Sequence, residues 1–161
     1  MKNVVRYAWL LFAVAIFTCS YFAQNTGFIS IPTAKFATGD NPEWSKPEFD
    51  DSRWVEIKTN QNYEAQGFAE YNGFSWYRLH VTIPSSLKNS VTWKKKLRFF
   101  LSRIDDVDAS YLNGVKIGQM GRFPEETGGY DAKWQLQREY QISADNPVIR
   151  WDRDNIIAIR V

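Results

Sequence analysis

The chain is poor in the residues that build most reaction centres. It has one cysteine, Cys19, and one histidine, His80. With Cys19 placed in the leader read below, the mature chain has no disulfide, no thiol nucleophile and no cysteine metal site. A lone histidine argues against a zinc centre and leaves a Ser-His-Asp site only His80, which sits in an alternating strand with no G-x-S-x-G elbow. A long hydrophobic run is also missing. The apolar run Trp9 to Phe17 spans nine residues, too short for a confident transmembrane span. No helical apolar period of useful length, internal repeat or low-complexity tract is present.

The apolar run follows Lys2 and Arg6 and precedes small and polar residues at Ser20, Ala23 and Gln24. This is the layout of a secretory signal peptide over residues 1–23, with cleavage expected after Ala23, and it predicts a secreted, periplasmic or cell-surface protein. Tyr21 is bulky for its place before that bond. The alternatives are lipid attachment at Cys19, for which Phe17-Thr18 is a poor lead-in, and an uncleaved anchor. Removing Lys2 and Arg6 takes the formal net charge from +2 to zero. Such a balance gives no nucleic-acid footprint, and Lys94-Lys95-Lys96 reads as a solvated loop. Export aside, no membrane contact is expected.

Aromatic residues are abundant instead: 7 Trp, 8 Tyr and 11 Phe in 161 residues, enough chain for one domain with a core. Residues 24–43 read as a linker or irregular N-terminal segment and 44–161 as the domain. Tyr77, Leu79, Val81 and Ile83 alternate with Trp76, Arg78, His80 and Thr82, predicting a strand with one buried and one more polar face, ended by Pro84. Leu97, Phe99 and Leu101 mark another. Asn113-Gly114 between Leu112 and Val115 predicts a two-residue hairpin. Arg138–Ile142 and Asn155–Val161 supply two more strands, and glycine-bearing stretches at 60–75 and 119–137 read as long surface loops. Short strands between such loops indicate an all-β, antiparallel sandwich.

Three constellations invite a site. Asp105, Asp106 and Asp108 could cap backbone N–H groups around a corner or offer hard oxygen ligands to calcium, in a spacing that matches no EF-hand. Glu125-Glu126 reads as a solvated loop tip, since pairs of acids are inevitable among 18. Sugars stack their C–H faces on aromatic rings and bind their hydroxyls to planar polar groups, so Tyr71, Trp76, Arg78, Tyr130, Trp134 and Arg138, in or beside the two loops, are the carbohydrate-binding candidates. Tyr63 and Phe74 lie among them. The competing reading packs Trp76 and Trp134 beneath the loops and pairs Arg78 with an acid.

FDDSRW at 49–54, GFSWYR at 73–78 with IP at 83–84, IDDVDASYLNG at 104–114, REYQI at 138–142 and NIIAIRV at 155–161 occur in an order that resembles the galactose-binding-like jelly roll of family 2 glycoside hydrolases and sialate O-acetylesterases. The resemblance covers about residues 44–161. It implies a non-catalytic module that binds sugar or braces a catalytic hydrolase domain of the same protein, with no cofactor beyond an occasional structural calcium. Similar jelly rolls also serve as extracellular ligand-sensing domains of membrane signalling proteins, the alternative.

Overall fold

The structure, a computed structural model, describes residues 27–89 and 94–161. The expected leader and Cys19 lie outside the described residues.

Eight strands form among the described residues: β1 (Thr33–Thr38), β2 (Val55–Lys58), β3 (Ser75–Thr82), β4 (Lys96–Arg103), β5 (Asp108–Leu112), β6 (Val115–Met120), β7 (Gln137–Ser143) and β8 (Asp154–Arg160). They make a six-stranded sheet in the order β2-β1-β3-β8-β5-β6 and a two-stranded sheet of β4 and β7. Every pairing is antiparallel. The all-β sandwich expected from the alternation is what forms.

Residues 24–43, read as linker or irregular, include the regular strand β1, which lies between β2 and β3. Its inward residues Ala34 and Phe36 are buried. Six residues of alternation after Pro32 were too short a signal to stand out from the proline-bearing segment around them.

The core fills the space between the sheets. Leu79, Val81, Leu112, Ile157 and Ile159 from the large sheet meet Leu97, Phe99, Tyr140 and Ile142 from the small one. The hairpin is as its sequence demands. Asn113 and Gly114 have φ of 47° and 84°, so both central residues take the left-handed conformation of a type I′ turn. Asn113 adds tertiary bonds, its amide donating to the Val148 carbonyl and to Asn155 while its Oδ1 accepts from Ile156 N–H.

The outer face of the large sheet is covered as well, contrary to the half-polar strand read at β3. Two caps do this. The segment 39–54 lays Trp44 and Trp54 over Trp76, Ile156 and Ala158. The loop after β6 lays Phe123 over Val107 and Ala109. Trp76 is therefore 1% exposed and Arg78 is completely buried.

Candidate functional site

A buried arginine needs every N–H matched, and the chain meets that need twice in the same way. Arg78 donates from Nε to Asp51 at 2.6 Å, while its Nη atoms donate to the carbonyls of Trp44, Lys46 and Phe49. Arg138 donates from Nε to Asp108 at 2.9 Å, while its Nη atoms donate to the carbonyls of Lys133, Leu136 and Asp106. Each guanidinium stands on a strand and gathers one loop system onto it. Asp108 is itself buried and also accepts from Ser110 and Tyr140 hydroxyls.

These contacts sort the six carbohydrate candidates. Trp76, Arg78 and Arg138 are shut away from solvent, and Trp76 donates its indole N–H to Asp40 at 3.0 Å. The Tyr71 hydroxyl donates to the Phe74 carbonyl and accepts from Gly39 N–H, which ties the 60–75 loop to the start of the first cap. Tyr130 and Trp134 differ. They are 52% and 55% exposed. Trp134, expected beneath its loop on the packing alternative, stands on the surface. Burial and the nearby Asp106 and Asp105 carboxylates push the Tyr130 phenol up to about 12.

Trp134 stands on the lip of a groove of about 1000 Å³ whose lining also includes Arg103, Asp105, Glu139 and Asn62. An exposed indole beside carboxylate, guanidinium and amide groups has the composition sugar hydroxyls and C–H faces require. Tyr130 adjoins the same Asp105-Asp106 corner.

The three aspartates do not act together as ligands. The Asp108 carboxylate is spent on Arg138, Ser110 and Tyr140, and Asp106 contributes its carbonyl to Arg138 and Lys133 N–H. Asp105 is exposed and bonds to Asp106 N–H. Among the described residues no group of three or more His, Cys, Asp and Glu side chains is placed to hold a metal ion. The calcium reading is corrected accordingly: one of its three ligands is the buried partner of an arginine.

Two further groupings escaped the sequence reading. His80 lies between Asp154 at 2.9 Å and Asp51 at 3.1 Å. Burial opposes its charge, but bonds to Asp154 and Asp51 raise its pKa above the ordinary histidine value. Burial likewise opposes the charge on Asp51, and Arg78 and His80 overcome it, holding the carboxyl below the usual range. Arg160 joins the two outer caps. It pairs with Asp40 and Glu125, and its guanidinium lies 4.5 Å from the Phe74 ring centre and 4.0 Å from that of Phe123. Glu125-Glu126 is thus no plain solvated tip, since Glu126 also accepts from Gln119 and from Phe123 N–H. The sequence held the charges, but their partners lie up to 120 positions away.

A comparison with protein-family models finds no match, and one with curated proteins finds none either. Solved structures do match. A β-glucuronidase of Bacteroides uniformis is 25% identical over 80% of this chain, with a TM-score of 0.53. A family 2 glycosyl hydrolase of Bacteroides cellulosilyticus shares 21% identity over 80% of the chain, with a TM-score of 0.55. A Bifidobacterium dentium β-glucuronidase complexed with coumarin-3-O-glucuronide shares 15% over 80%, also at 0.55. The match spans only 14%, 16% and 19% of those three chains. No helix among the described residues is long and apolar enough to cross a membrane. With its two-sheet architecture, strand order and these neighbours, the chain has the galactose-binding-like jelly-roll fold found in family 2 glycoside hydrolases.

Proposed function

We propose that this chain is a non-catalytic, carbohydrate-associated module of an exported glycoside hydrolase, contacting sugar through the Trp134–Tyr130 corner. The observation that carries the reading is the fold match over 80% of this chain to a minor part of much longer β-glucuronidases. The geometry supports a binding or bracing part over a reaction centre. Its one histidine is held between two aspartates, and both buried carboxylates, Asp51 and Asp108, are bound to arginines.

At the corner, the exposed Trp134 indole and Tyr130 ring offer stacking faces. Asp105, Arg103 and Glu139 on the lip supply partners for hydroxyls or for a uronic carboxylate. The test is a titration of the full chain with glucuronic acid, glucose and galactose, followed by tryptophan fluorescence and by NMR shifts. Saturable changes confined to Trp134 and Tyr130 are expected. No change at any of the three sugars in the millimolar range removes sugar contact and leaves the bracing role, which loss of activity on deleting the module from its parent hydrolase tests separately.

A further inference from the structure

Asn-Gly occurs at two places in the chain, Asn72-Gly73 and Asn113-Gly114. The pair is reactive, because a glycine brings no Cβ to keep its main-chain nitrogen from the asparagine side chain before it. The structure treats the two differently. Asn113 is locked: its amide donates to the Val148 carbonyl at 2.7 Å and to Asn155 Oδ1 at 2.9 Å, and its Oδ1 accepts from Ile156 N–H at 2.9 Å. Asn72 and Gly73 are both exposed, on the segment between the short helical turn Tyr63–Gln66 and β3. Among the described residues, neither the Asn72 carboxamide nor the Gly73 N–H has a hydrogen-bond partner.

We propose that Asn72 is a site of spontaneous conversion to isoaspartate, and that the product loosens the first outer cap where it joins the sheet. The main-chain nitrogen of Gly73, its proton lost to hydroxide, attacks Asn72 Cγ, and the new N–Cγ bond closes a succinimide ring. The bond from Cγ to the side-chain nitrogen breaks, and that nitrogen leaves as ammonia with a proton from water. Water then opens the ring. Attack at Cγ gives aspartate, and attack at the Asn72 main-chain carbonyl gives isoaspartate. A water is consumed and an ammonia released, and nothing is oxidised or reduced. Isoaspartate carries the main chain through the former side chain, which adds a carbon between Tyr71 and Phe74. A tight join closes that span. The Tyr71 hydroxyl donates to the Phe74 carbonyl and accepts from Gly39 N–H at 3.0 Å, and Gly39 N–H also reaches the Phe74 carbonyl at 2.7 Å. Gly39 begins the cap that lays Trp44 and Trp54 over Trp76 of β3.

The site uses none of the residues at the sugar corner. The full chain is incubated at mildly alkaline pH, folded and in urea, and both asparagines are followed by peptide mapping, with fragmentation that separates isoaspartate from aspartate. In the folded chain Asn72 is expected to convert at least about tenfold faster than Asn113, whose reaction waits on local opening. In urea the two rates are expected to converge. Equal rates in the folded chain overturn the proposal, as does conversion of Asn72 that appears only in urea or yields aspartate alone. Amide exchange at Gly39, followed by NMR, reads the effect on the cap. Exchange about tenfold faster in the incubated chain than in the fresh one is expected, while Asn72→Gln, in which ring closure is slower, keeps its protection over the same incubation. Converted chain with unchanged Gly39 exchange overturns the loosening, as does an equal rise in Asn72→Gln.

Discussion

Arg138 and Arg78 are the residues on which the loops depend. Removing one partner of a buried pair leaves the other charge without compensation, which costs about 3–5 kcal/mol. Arg138→Met and Asp108→Asn are therefore each expected to lower unfolding free energy on that scale in urea titrations, and a loss within experimental error would show that the pair is dispensable. From sequence both arginines looked like ligand groups, since both stand near the aromatic loops and alternation placed Arg78 on the polar side of its strand. What reversed this was the set of carbonyls meeting them. Those come from loops up to 34 positions away for Arg78, and main-chain oxygens leave no mark in a sequence. His80 gives a pH prediction at the same scale. Its pKa is raised in the folded chain, so its stabilisation is complete below its unfolded value of about 6.5 and is lost as pH rises through the higher folded value. Asp51 acts in the opposite direction, its contribution present above about pH 3.9 and lost as pH falls through its lowered folded value. Thermal melts from pH 5.5 to 8.5 (a range of about one to two units about the histidine value) should show midpoints falling toward alkaline pH. His80→Gln should flatten that slope, and an unchanged slope would contradict the assignment.

Among the elements, the β5–β6 hairpin and the strands β3, β4, β7 and β8 were legible, because each carries a local signal: a turn that needs two positive φ values, or alternation sustained over seven or eight residues. β1 was not, for want of length. Nor was the covering of β3, which depends on a separate segment folding back over it. One glycine makes the packing between elements testable. A Cβ on Gly118 of β6 would meet Tyr140 Cδ1 of β7 at 2.0 Å, so the ring lies directly on the glycine while its hydroxyl reaches Asp108. Gly118→Ala must push that ring aside, and a destabilisation of about 1–3 kcal/mol is expected. Chemical unfolding measures it, and the Tyr140 ring resonances in NMR report whether the ring has moved. A neutral substitution with an unmoved ring would contradict the contact.

For the whole molecule, the sandwich was legible and the location of its open side was not. Which sheet holds two strands, and therefore where a groove forms, depends on long-range pairing that alternation does not encode. The candidate ligand surface was half legible for the same reason. Aromatic loops pointed to six residues, and burial leaves Tyr130 and Trp134 facing solvent. Trp134→Ala, on the surface, leaves in place the main-chain carbonyls of Lys133 and Leu136 that meet Arg138, and is expected to change stability by no more than about 0.5 kcal/mol. That makes it the cleanest probe of the account's central claim, that this galactose-binding-like module meets sugar at the Trp134–Tyr130 corner. The measurement is a calorimetric titration of the full chain and of Trp134→Ala with glucuronic acid, glucose and galactose. The account predicts saturable binding of at least one sugar by the unaltered chain and at least about tenfold weaker binding by a variant with the same melting temperature, about the loss of one stacking contact. Equal binding by the two proteins, or none by the unaltered chain, would contradict it.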